Sequence, residues 1–105
     1  MKVLIDQTVH LTLNEFYETA LYIHPSLDKE TIVRKMERLF SCLDQLGRYA
    51  TIYNKARLHP LWIQNKFREC IIEDIHFAFQ IYTDDETGEP YVYVHDACHS
   101  ALYHE

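Results

Sequence analysis

Residues 67–103 limit what this chain can fold into more than any other part of it. Two stretches there, His76–Thr83 (HFAFQIYT) and Tyr91–His95 (YVYVH), are dense in aromatic and β-branched side chains. The polar run Asp84-Asp85-Glu86-Thr87-Gly88 between them ends on a glycine that can take positive φ, which predicts a hairpin loop. Arg68–Glu73 (RECIIE) is a third strand candidate, separated from the next by Asp74 and Ile75. Three short strands joined by tight turns predict an antiparallel meander. Strand alternation puts Phe77, Phe79, Ile81, Val92 and Val94 on one face. It puts His76, Ala78, Gln80, Tyr82, Tyr91, Tyr93 and His95 on the other. The first face calls for a covering layer; the second is a plausible ligand surface.

The N-terminal half supplies that layer. Met1–Asp6 alternates enough for a short first strand. Thr12-Leu13-Asn14-Glu15 fits a capping box, and Leu13, Phe16, Tyr17, Ala20 and Leu21 follow at helical spacing. Pro25 is expected to stop this helix just after His24. Ser26 or Asp28 would cap a second helix with the apolar stripe Ile32, Val33, Met36, Leu39, Phe40, Leu43 and Leu46, and Gly47 stands where a C-terminal glycine is expected. Arg48–Pro60 is the least regular stretch, Leu61–Gln64 (LWIQ) is a strand candidate, and Trp62 is expected in the core or an interface. The expectation is one α+β domain over residues 1–105. An N-terminal strand and helical hairpin would pack on one face of a three- to four-stranded antiparallel sheet.

Composition narrows the function classes. With 48% hydrophobic and 25% charged residues the chain has the balance of a soluble globular domain. No apolar run reaches the roughly 18–20 residues that span a bilayer, so no membrane partner is expected. No signal peptide is legible at the start. Three widely spaced cysteines, Cys42, Cys70 and Cys98, fit reduced thiols and a cytoplasmic setting rather than a disulfide framework. The formal charge of −6 argues against broad binding to nucleic acid, which would need a local basic patch. Arg48, Lys55 and Arg57 form the best such cluster, with a solvated loop as the plain alternative.

Other chemistry-bearing residues collect near the C-terminus. His99 and Tyr103 would share a face if the tail is helical, and histidine exchanges protons near neutral pH. The structural alternative is a surface His99 and a Tyr103 that packs a terminal turn. His95, His99 and His104 with Asp96 lack the second ligand cluster that a metal site needs, so no metal or cofactor is expected. Arg68 could hold phosphate or pair across strands with Glu73 or Asp74.

The order strand, helical hairpin, antiparallel meander and short tail resembles the RelE/ParE toxin superfamily. The likeness is most specific over Phe67-Arg68-Glu69, the central strand FAFQIY and the alternating YVYVHDACH. The resemblance implies the toxin of a type II toxin–antitoxin pair, with a cognate antitoxin as partner. RelE-like members cut messenger RNA on the ribosome; ParE-like members bind a protein target such as gyrase instead. A relative without toxicity is a third alternative. Carried onto this chain, the nuclease pattern implies His99, Tyr103, His76 and Glu73 as catalytic groups. Arg68, Arg48, Lys55, Arg57, His95 and His104 would bind phosphate or RNA. The central strand lacks the arginine that many members carry.

Overall fold

A computed structural model describes residues 1–24, 26 and 28–99. Tyr103, His104 and the expected stop at Pro25 lie outside the described residues. The elements are β1 (Lys2–Ile5), α1 (Gln7–Ile23), α2 (Lys29–Tyr49), a short 3-10 turn (Ala50–Ile52), α3 (Pro60–Gln64), β2 (Arg68–Ile72), β3 (Ile75–Thr83) and β4 (Pro90–His99). The class is the expected α+β. The four strands lie in the order β1-β4-β3-β2. β2, β3 and β4 form the antiparallel meander, and β1 joins β4 in parallel, so the sheet is mixed.

Several local expectations are corrected. α1 starts five residues before the Thr12 pattern, because the Asp6 carboxylate accepts from the Thr8 amide at 2.9 Å and caps the helix there. Thr12 and Glu15 are ordinary mid-helix residues, and Val9 begins the buried stripe. Asp28 is the cap of α2, its carboxylate taking the Glu30 amide at 3.1 Å. α2 then runs through Gly47 to Tyr49, so Gly47 ends nothing. Its missing side chain admits β1 and the residue before it: a Cβ there would collide with the Met1 carbonyl oxygen. Leu61–Gln64 is helical, with Pro60 at the first position of α3, where proline's fixed φ and absent N–H suit a helix start.

The main core lies between the helical layer and one face of the sheet. Val9, Leu13, Leu39, Leu43 and Leu46 meet Cys70, Ile75, Phe77, Phe79, Val92 and Val94. Each large apolar side chain fully buried in this way contributes roughly 1.5–3 kcal/mol. A second cluster sits on the opposite face, where Trp62 and Ala56 cover Ala78 and Phe67 and Cys98 pack against them. The segment before β2 therefore roofs part of the face that alternation assigns to His76, Tyr82 and Tyr91. Residues 54–56 continue the sheet beside β2: the Glu69 amide donates to the Asn54 carbonyl at 3.1 Å, and the Ala56 amide to the Phe67 carbonyl at 2.9 Å.

A bulge at the Ala78/Phe79 step gives β4 one extra residue. Ala78 pairs with Asp96 and Phe79 with Val94, leaving His95 between them. His95 and Asp96 consequently both serve the roofed face, and Ala97 resumes on the helical face. Without the bulge, Asp96 would point toward the main core.

Candidate functional site

The strongest convergence of sequence-predicted residues is a groove of about 600 Å³ between residues 52–58 and the roofed face of β2 and β3. His76 comes to it from β3, Glu69 from β2, and Lys55 and Arg57 from the irregular segment. The His76 Nδ1 lies 3.1 Å from a Glu69 carboxylate oxygen. Both side chains are largely withdrawn from solvent, at 11% and 17% exposure, so this pair is weakly screened compared with a surface ion pair. Lys55 and Arg57 are exposed. Ile52, Tyr53, Leu58 and Ile71 give the groove apolar walls.

The pairing follows from the β2–β3 turn. Glu73 and Asp74 adopt φ of 52° and 66° and form a two-residue connection, so Ile72 pairs with Ile75 and Ile71 with His76. Glu69 is then two residues along β2 from the partner of His76, on the same face. Ending the strand at Glu73, as the sequence suggests, displaces the turn by one residue and the register by two, which sets Glu73 opposite His76. The true register replaces Glu73 with Glu69 as the carboxylate near His76. Glu73 lies in the exposed turn, 3.5 Å from Arg38 of α2.

The other candidates are dispersed. Arg68 points to the helical side and its Nη1 donates to the Tyr53 carbonyl at 2.5 Å and more weakly to that of Thr51 at 3.5 Å, tying residues 51–53 to β2. Arg48 is exposed in the last turn of α2. His99 stacks on Phe16 of α1 with ring centroids 4.4 Å apart, on the face of the sheet opposite His76. His76 and His99 therefore do not converge.

His95 belongs to a separate aromatic cluster on the roofed side. Its ring stacks on Phe67 at 4.4 Å, and its Nε2 is 2.8 Å from the Tyr82 hydroxyl, which also reaches Gln80 Oε1 at 3.0 Å. The Tyr93 hydroxyl donates to the second carboxylate oxygen of Asp6. Burial lowers the His95 pKa, against the opposing charges of Asp6 and Asp96. The hydrogen bonds from Thr8 and Tyr93 hold Asp6 down to about 2. The same bond to Asp6, chiefly, raises Tyr93, and burial raises Tyr82.

Sequence reasoning misses Glu69, Tyr82 and Asp6. Alternation through β2, counted back from a two-residue turn, is the signal that would place Glu69 beside His76. Asp6 carried none beyond its position before an apolar-periodic run. Burial, then the Glu69 charge, pushes the Cys70 thiol up to about 12, which makes it an inert core group. Among the described residues no three potential metal ligands gather, and no helix is long and apolar enough to cross a membrane. No protein-family model, characterised protein or solved structure matches this chain.

Proposed function

We propose that this chain is a toxin-like endoribonuclease that cuts messenger RNA in the groove beside β2. The observation that carries the reading is the meeting of the His76–Glu69 pair with Lys55 and Arg57 in one groove. Cleavage by the neighbouring ribose needs a base for the 2′-hydroxyl proton, an acid for the leaving oxygen and positive charge at the phosphate. When Nδ1–H of His76 donates to Glu69, the neutral ring carries its lone pair on Nε2 and serves as the base. The 2′-oxygen–phosphorus bond forms, the bond from phosphorus to the 5′-oxygen breaks, and a protonated group or water supplies the proton to that oxygen. Lys55 and Arg57 hold the phosphate and stabilise the charge it gains. The apolar walls suit a base face or ribose edge rather than a run of phosphates, in keeping with a chain of net charge −6.

The test is messenger-RNA integrity in a bacterial translation extract with ribosomes. Position-specific cleavage by the wild type should fall at least tenfold in His76→Gln, equivalent to about 1.4 kcal/mol of transition-state stabilisation. Lys55→Ala and Arg57→Ala should weaken it as well. Loss on His99→Ala with His76→Gln intact would move the chemistry to the helical face of the sheet.

A second reading is a non-enzymatic relative that binds a protein target or an antitoxin. The separation of His99 from His76 favours it, because the implied catalytic set does not assemble on one face. Intact messenger RNA in the same extract, with a properly folded chain, selects this reading over the first.

A further inference from the structure

β2 is an outer strand of the sheet, and only its first half is paired on the outside. The bonds from the Glu69 amide to Asn54, and from the Ala56 amide to the Phe67 carbonyl, define which β2 groups point outward. Backbone direction alternates along a strand, so the N–H and C=O of Ile71 point outward too. Residues 54–56 stop short of Ile71, because the 3-10 turn at Ala50–Ile52 carries the preceding chain away from the edge. Among the described residues nothing pairs with the outward groups of Ile71, whose side chain is 61% exposed. A bare edge of this kind is a template for another strand.

The surroundings fit such a strand on both sides. On the roofed side is the 600 Å³ groove with Ile52 and Leu58 and the cations Lys55 and Arg57. On the helical side is a second hollow of about 310 Å³ between α2 and β2, lined by Cys42, Leu46, Tyr49 and Ile72. Tyr53 and Ile71 border both. A strand laid along this edge sends alternate side chains into the two hollows.

We propose that the Ile71 edge of β2 binds an extended peptide as an added antiparallel strand, continuing the course of residues 54–56. Its apolar side chains would enter the α2 hollow, and carboxylates at the alternate positions would face Lys55 and Arg57. The groove's one carboxylate, Glu69, is largely withdrawn from solvent and engaged by His76 at 3.1 Å, which leaves Lys55 and Arg57 as its exposed charges. Charge complementarity therefore selects an acidic peptide over a second copy of this chain, which would bring the two sets of cations together about a twofold axis. This docking does not depend on the cleavage reading, although the two share a groove.

The test is backbone-amide NMR of the full chain titrated with the peptide acetyl-Glu-Val-Glu-Val-Glu-amide. Shifts should centre on residues 52–58 and 69–73, and exchange of the Ile71 amide should slow at least tenfold at saturation. Ile71→Pro removes the outward donor without removing a bond of the β2–β3 ladder, so it should fold and fail to bind. Lys55→Glu with Arg57→Glu should weaken the acidic peptide at least tenfold and favour the version with lysine in place of glutamate. No shifts at millimolar peptide, or equal binding by Ile71→Pro, would overturn the proposal. So would an Ile71 amide already protected in the dilute chain, meaning that the chain's own residues cover the edge. Protection that grows with protein concentration alone would assign the edge to a second copy and overturn it likewise. Uptake of an RNA oligonucleotide at these amides with no uptake of peptide would have the same force.

Discussion

Asp6 joins two parts of the molecule through one carboxylate: it caps α1 at Thr8 and receives the Tyr93 hydroxyl from β4. Both bonds favour the charged form, which is why its pKa falls from 3.8 to about 2. The stabilisation is present above the unfolded value near 3.8 and is lost as pH falls through about 2. His95 acts in the other range. Burial favours its neutral ring, so the unfolded chain binds the proton more readily and stability declines as pH drops below 6.5. Urea midpoints measured from pH 8 downward should therefore show two separate declines. His95→Gln should flatten the first, and Asp6→Asn should lower stability at neutral pH while flattening the second. A profile unchanged by both substitutions would mean that neither group couples protons to folding.

Among the elements, the β2–β3 hairpin holds two left-handed residues without a glycine, Glu73 and Asp74. Asn-Gly is the pair that this mirror-image turn prefers. Glu73→Asn with Asp74→Gly should raise stability by about 0.5–2 kcal/mol, and each kcal/mol should raise Tm by roughly 4–8 °C. The same double variant should keep any cleavage that depends on His76 and Glu69, which an extract assay would read directly. This hairpin also marks the limit of what sequence could tell. The alternating strands, helical stripes and order of layers were legible because burial repeats every second or every three to four residues. The one-residue turn displacement was not, since Glu-Asp carries no glycine signal, and that displacement exchanged Glu69 for Glu73 beside His76. LWIQ misled for another reason: four apolar or neutral residues fit either period, and Pro60 was the discriminating sign. The bulge at His95 had no signal at all, because it is fixed by pairing with β3 rather than by its own residues.

At the scale of the molecule, charge is unevenly placed. Asp84, Asp85, Glu86 and Glu89 crowd the β3–β4 loop, while Lys55, Arg57 and Arg68 lie along the β2 side. The arrangement puts two exposed cations, Lys55 and Arg57, in one groove of a chain whose net charge is −6, with Glu69 as the carboxylate beside them. The position of β4 has a different consequence. It stands between β1 and β3, and among the described residues β1 has no other neighbour in the sheet. A chain ending at Gly88 would leave β1 without a partner and remove Val92, Val94 and Ala97 from the core. Such a truncated chain should show no cooperative unfolding transition by circular dichroism, even with both long helices and the β2–β3 hairpin present in its sequence. During synthesis the first strand must therefore wait for β4 to be made, so the sheet closes as a single event, and a partner that grips the chain before then would meet its apolar helices without the sheet that later hides them.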